Sequence, residues 1–515
     1  MKIFSQLKYD LPASIIVFFI ALPLCLGIAL ASGAPLFSGI IAGIIGGIVV
    51  GSFSGSALGV SGPAAGLATI VISYLAILGG SWESFLLVVI LAGVIQVIMG
   101  YLKMGTIAYY FPSSVIKGML CGIGLLIIIK QIPYAFGYQN NLIKDVGSNI
   151  ISDKQIYLPN LDLILQSINY GALLIGFLSI GLMIVWELFL IKKYNVCQFI
   201  PAPLVVVVLG IISSYLFLEG ILPFTLSDSQ LVKVPTSNNF IGFFDHFWFP
   251  DFSQITNPQI YQMAFVVAIV ASLETILSVE ACDKIDPQKR ITPTNRELKA
   301  QGIGNIVSGL IGGLPITQVI VRSSANVTFG AKTKLSAILH GLILLIAVIS
   351  ISDLLNMIPL SSLAAILIII GYKLAKPIIF KQMYQLGWEQ FVPFIITIVG
   401  ILAFDLLTGI GFGMAAAIVY LVVHNFYNPY HRATYEEKSP NEHFFKLAEE
   451  VSFLNKGKIL EMLRNIPDGA NVTIDGRNSK TIHHDVIEIL QDFQISAKSK
   501  NISLKLIEIN FKNFK

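Results

Sequence analysis

Fourteen apolar segments follow one another between residues 11 and 426, and they restrict this chain to one class of fold. They lie near 11–31, 36–52, 63–78, 84–101, 112–132, 168–191 and 203–218. After a long polar connection come 260–281, 298–312, 316–328, 335–352, 357–372, 389–404 and 407–426. In lipid a backbone satisfies its N–H and C=O groups internally, and a spanning helix needs ~20 apolar residues. Most of these segments approach that length. Only 12% of the 515 residues are charged, against about 25% in a soluble protein. The chain reads as a polytopic membrane protein.

The lysines and arginines give the orientation. With the N-terminus inside, the inner connections hold Lys103, Lys192, Lys193, Lys284, Lys289, Arg290, Arg296, Lys299, Lys332, Lys334, Lys373, Lys376 and Lys381. The outer ones hold little beyond Lys144, Lys154 and Lys233. This bias fits fourteen crossings with both termini cytoplasmic, in a bacterial inner membrane. The opening run resembles a secretory signal, with Lys2 and Lys8 before apolar residues and Ala29-Leu30-Ala31 as a cleavage-like site. It is long for one and carries Pro12 and Pro23, so it reads as the first span. A net charge of +4 suits basic inner loops and calls for no nucleic-acid partner. Cys25, Cys121, Cys197 and Cys282 have neither metal-ligand nor disulfide spacing, and read as packing residues. The seven histidines form no ligand set either, so neither a metal centre nor an enzyme's catalytic cluster is expected.

Charged residues return to soluble density from about Tyr427. The expected division is a membrane domain at 1–428 and a small cytoplasmic α/β unit at 440–515. In the latter, His443–Asn455, Asn471–Asp475 and Ser503–Ile509 read as strands. Lys458–Asn465 and His484–Ala497 read as helices.

The segment Gly309–Lys334 departs from the others. It breaks at Gly312-Gly313-Leu314-Pro315, resumes with Thr317, Gln318 and Arg322, and is then too short to span. A helix beginning inside the membrane leaves N–H groups unpaired and carries about half a positive charge at that end. Such an end survives against a cavity or a ligand, and its natural ligand is an anion. The first half carries a counterpart at Gly62-Pro63-Ala64-Ala65-Gly66. Leu91-Ala92-Gly93 with Pro112-Ser113-Ser114 likewise corresponds to Leu339-His340-Gly341 with Pro359-Leu360-Ser361-Ser362. Seven spans per repeat invert the second copy relative to the first. Paired interrupted segments mark a transporter's midplane site.

Asn295-Arg296-Glu297-Leu298, then Ala300-Gln301-Gly302-Ile303-Gly304-Asn305 and Gly312-Gly313-Leu314-Pro315, resembles the NxEL…QGxxN…GGxP signature of the SulP anion transporters. Leu22-Pro23, Ser61-Gly62-Pro63 and the α/β tail extend the likeness over nearly the whole chain. The resemblance implies two inverted seven-helix repeats, a core domain moving against a gate domain, a C-terminal STAS-like domain and a homodimer. The implied activity is secondary active transport of a small inorganic anion by alternating access.

On this reading Pro63–Gly66 and Pro315–Gln318 are the first turns of two half-helices, where proline's missing N–H costs nothing. The substrate-binding candidates are Pro63, Ala64, Ala65, Gly66, Thr69, Pro315, Ile316, Thr317, Gln318 and Arg322. Two Gly-Pro kinks in full-length helices are the plainer alternative. Arg322, at a position resembling the family's core-domain arginine, contributes to the anion's field without needing to touch it. Glu274 is the other expensive intramembrane charge and a candidate proton carrier. Family bicarbonate transporters place a sodium-site aspartate at a similar position, with a hydroxyl one turn on, where Ser278 lies. Glu274 and Ser278 are therefore the coupling-ion candidates, for H+ or Na+, with no other cofactor expected. A static Glu274–Arg322 ion pair is the competing reading. His340 reads as a packing residue, and Glu187, with Lys192 and Lys193 nearby, as interfacial.

The first helix reads Pro23-Leu24-Cys25-Leu26-Gly27-Ile28, without the glutamine and aromatic of many family members. That leaves sulfate, bicarbonate, chloride and small dicarboxylates open. A nucleobase carrier of the same fold and a passive channel are the rivals.

Overall fold

The computed structural model describes residues 6–106, 111–137, 168–194, 197, 200–235, 246–404, 406–427, 430–432 and 441–509. Lys144 and Lys154 lie outside the described residues. The chain forms two compact units, Met1–Met414 and Ala415–Lys515.

Each expected segment contains a helix. The first seven are α1 Leu7–Ala31, α2 Leu36–Phe53, α3 Ala65–Ile77, α4 Trp82–Tyr101, α5 Ser113–Ala135, α6 Tyr170–Lys193 and α7 Ala202–Leu218. The second seven are α8 Pro258–Ile285, α9 Thr294–Leu310, α10 Ile320–Thr328, α11 Leu335–Ser350, α12 Leu360–Leu374, α13 Trp388–Ala403 and α14 Leu406–Tyr427. Among the described residues, eight helices are long and apolar enough to cross a membrane, α12 being one when its continuation to Gln385 is included. The shorter apolar helices are α3, α7, α11 and α13. α9 is short and also polar: Glu297, Gln301, Asn305 and Ser308 recur on one buried face.

That face can be buried because small residues let neighbours approach. A Cβ on Gly93 of α4 would sit 2.6 Å from the Gly302 carbonyl of α9, and one on Gly302 equally close to the Gly93 carbonyl. The two backbones touch there, as small-residue packing in membranes permits. At its N-terminal end α1 is tied down by Asp10, whose carboxylate accepts the N–H groups of Lys332 and Thr333. Glu187 pairs with Lys373 of α12 rather than with the nearby Lys192 or Lys193.

The half-helices begin later than the sequence suggests. Ser61–Pro63 (β1) and Ile316–Gln318 (β2) are short strands, paired antiparallel with Ser61 opposite Gln318 and Pro63 opposite Ile316. α3 starts with a 3₁₀ turn at Ala65, and α10 starts at Ile320. The prolines therefore precede the helices instead of opening them. The Val319 N–H donates to the Val60 carbonyl (2.9 Å), so by antiparallel alternation Gly62 and Thr317 form the next bonded pair. Pro63 falls at an outward-facing position, where its missing N–H breaks no bond.

The second unit contains a four-stranded sheet in the order β3-β4-β6-β8, from Tyr430–Arg432, Glu442–Leu447, Asn471–Asp475 and Ser503–Ile507, and a separate parallel pair, β5 Glu450–Val451 with β7 Thr481–Ile482. β4, β6 and β8 run parallel, and β3 is antiparallel to β4. Phe445, Val472 and Ile474 share a core with Ile459 and Leu463 of Lys456–Arg464 and with Leu490 and Phe493 of His484–Ser499. The sequence places these elements to within a few residues except the first: the strand expected over His443–Asn455 ends at Leu447, and Phe453–Asn455 is a 3₁₀ turn. After β6, the Arg477 guanidinium holds the buried Asp475 carboxyl below the usual carboxylate range.

Candidate functional site

The β1–β2 crossing has two faces, and side-chain alternation assigns residues to them. Ser61, Ile316 and Gln318 share the face toward α9. Gly62 and Thr317 share the opposite face, beside Arg322, α1 and α2.

On the α9 face the four-residue spacing of Glu297, Gln301 and Asn305 acts as a row of clamps. Glu297 accepts from Ser54 Oγ (2.6 Å) and the Gly55 N–H (3.2 Å). The Gln301 amide donates to Ser61 Oγ (2.7 Å). Asn305 accepts the Ile316 N–H (2.6 Å) and donates to the Ile316 carbonyl (3.1 Å). Those are the outward-facing groups of β2, which in lipid would otherwise go unpaired. A side-chain amide thus replaces a third strand. Asn305 also donates to Gln96 of α4 (2.7 Å), which donates to Ser272 of α8 (3.3 Å). The resemblance picks out Glu297, Gln301 and Asn305 only as a signature, and their positioning role is legible in the i, i+4, i+8 spacing. Gln96 carries no comparable sequence signal.

On the other face Arg322 is fully buried. Its Nη2 donates to Cys25 Sγ (3.3 Å), while Nε and Nη1 have no partner among the described residues. Nη1 presses on β1: a Cβ at Gly62 would be 2.1 Å from it. The static ion pair with Glu274 is absent.

Glu274 lies instead at the start of α3. A Cβ on Gly66 would be 2.8 Å from its Oε2. A carboxyl group therefore sits at a helix start, where N–H groups and dipole favour negative charge. Glu274 is half-buried, as is Ala65, and these two mark the more accessible side of the site. Oε2 of Glu274 and the hydroxyls of Thr69 and Thr317 are enclosed and have no hydrogen-bond partner among the described residues. Ser278 lies one turn further along α8.

Not every candidate converges. Gln318 turns away, its amide packed against Gly59, with both polar atoms unpartnered among the described residues. Ile316 packs toward Gly304 of α9. Nor is the crossing the open hollow that the sequence suggests: Thr69, Thr317, Gln318 and Arg322 are all buried. A cleft of about 360 Å³ lies instead beside Glu280, Asp283, Lys284 and Arg290, at the end of α8.

A protein-family model described as the sulfate permease family matches residues 7–397. The chain is 27% identical over 421 residues to "Putative sulfate transporter YvdB" of Bacillus subtilis, covering 81% of this chain and 74% of that one. It is 26% identical over 425 residues to "Bicarbonate transporter BicA" of Picosynechococcus sp., covering 81% and 70%. The solved transmembrane domain of a cyanobacterial BicA superposes with a TM-score of 0.65 at 24% identity, over 81% of this chain and 98% of that one. The overall structure of SLC26A9 gives 0.74 at 15% identity, over 99% and 87%. Both share its helical membrane-domain fold.

Proposed function

The chain belongs to the sulfate permease family, and on that premise we propose that it is a secondary active transporter of sulfate or bicarbonate, coupled to a proton or a sodium ion. The family is one of transporters, not enzymes, and the protein is a multi-pass membrane protein of that group.

The observation that carries the reading is Glu274 at the start of α3. A carboxylate there competes with an anionic substrate for the same N–H groups and the same field. Neutralising it with a proton or a sodium ion frees the helix start, so anion and cation bind together. Thr69 and Thr317 supply hydroxyls to the anion, and Arg322 supplies charge from behind β1. Ser278 adds an oxygen one turn from Glu274, where a sodium ion would need it. The backbone at Pro63–Gly66 and Pro315–Gln318 forms the floor. Alternating access follows from moving the element group around β1 and β2 against the remaining helices, in a 7+7 inverted arrangement. The closed crossing suits an occluded step of that cycle.

In the same reading both termini are cytoplasmic in a bacterial inner membrane. Residues 1–428 transport, 440–515 form a STAS-like domain, and the assembly is a homodimer. Tracer uptake into proteoliposomes, with sulfate, bicarbonate, chloride, a small dicarboxylate and uracil compared, tests the substrate class. Saturable uptake of sulfate or bicarbonate is expected. Uptake of uracil alone would overturn the reading.

A further inference from the structure

Arg322 is held without being neutralised. A buried guanidinium ordinarily pairs with a carboxylate, because an unpaired buried charge is costly. Here the groups against it are a thiol and glycine backbone. Cys25 Sγ accepts from Nη2 at 3.3 Å. The thiol is wedged in turn against α2, where a Cβ on Gly43 would be 2.5 Å from Sγ. His340 of α11 is also fully buried, but it makes no hydrogen bond to Arg322 among the described residues. Its Nδ1 lies 2.9 Å from the Ala337 carbonyl, which places the proton on Nδ1 and leaves Nε2 as a lone-pair acceptor. That acceptor has no partner among the described residues, and neither do Nε and Nη1 of Arg322. The stack Gly43–Cys25–Arg322–Gly62 fixes the guanidinium against the middle of β1.

We propose that Cys25 is a positioning residue that clamps Arg322 through a neutral acceptor, so that its whole charge remains available at the crossing. A carboxylate in that place would fix the guanidinium equally well and cancel its field. The cysteine, at a position the sequence suggests is mere packing, is thus chosen for size and lack of charge. This rests on the anion-transport reading and deepens it by naming what sustains the positive field.

The test uses a near-isosteric pair in the full-length protein, Cys25→Asn with Cys25→Asp, with Cys25→Ser as the conservative control. In proteoliposomes, with radiolabelled sulfate and bicarbonate as probes, Cys25→Ser should keep a KM close to that of the parent. Cys25→Asp should raise KM at least about tenfold above Cys25→Asn. Equal KM values for the two would overturn the proposal, since packing damage alone affects both members alike. A second readout needs no substrate: melting temperatures of Cys25→Asp and Cys25→Asn, each with Arg322 or Arg322→Gln. The aspartate should be the more stable partner with Arg322 and the less stable without it. Absence of that reversal would overturn the clamp even where no anion is transported, whereas failure of parental uptake with the reversal intact would count against the transport reading alone.

Discussion

The Glu274 carboxylate rests on the backbone of Gly66, so closely that a methyl group added there would lie 2.8 Å from Oε2. Glycine leaves room for an acidic side chain from α8 to reach the start of α3. Gly66→Ala should therefore push the carboxylate off the helix start while the protein still folds, since Gly66 does not hold a left-handed φ. Gradient-driven uptake of the transported anion should fall by about tenfold or more, reflecting ~1.4 kcal/mol or more of lost coupling. Uptake measured at parental rates in Gly66→Ala would show that the contact has no part in transport.

Asn305 should prove a structural necessity of a different kind. Replacing it with Leu strands the outward N–H and carbonyl of Ile316 inside the membrane, at a cost of about 2–4 kcal/mol. Thermal unfolding of purified Asn305→Leu should show a lower melting temperature than the parent. Asn305→Asp keeps an acceptor for the Ile316 N–H and should fall between the two. Equal melting temperatures for all three would mean that the side-chain amide does not secure β2.

The α/β unit gives a pH signature. Hydrogen bonds from Arg477 keep the Asp475 carboxyl low, against the opposing effect of burial. A carboxyl lowered on folding stabilises the folded state above its unfolded value, about 3.9, and loses that contribution as pH falls through its folded value. The melting difference between parent and Asp475→Asn should hold steady down to about pH 5 and shrink toward zero below about pH 4. A difference that grew on acidification would contradict the sign of this shift.

Much of this architecture is legible in the sequence, because lipid turns hydropathy into helix position. All of the expected segments contain helices, and Asn471–Asp475 is a strand as read. The interrupted elements are harder. Gly-Pro sequences announce that a helix breaks, but whether the freed backbone pairs with itself depends on a partner some 250 residues away. Nothing local to Pro63 or Pro315 reveals β1 and β2, so the helix starts fall too early. Arg322 and Glu274 stand out as intramembrane charges, yet only the fold separates them and gives Arg322 to Cys25. Cys25 itself, apolar-flanked and solitary, offers no signal. Gln318 reads as a site residue because it follows the break, and strand alternation then turns its amide toward Gly59.

The central claim is that Glu274 makes anion binding depend on a cation. Its most direct test compares parent and Glu274→Gln proteoliposomes under an imposed proton or sodium gradient. Tracer anion is followed past equilibrium in one arm and by exchange without a gradient in the other. The parent should accumulate anion above the outside concentration, while Glu274→Gln should retain exchange and lose accumulation entirely. Undiminished uphill accumulation by Glu274→Gln would contradict the account.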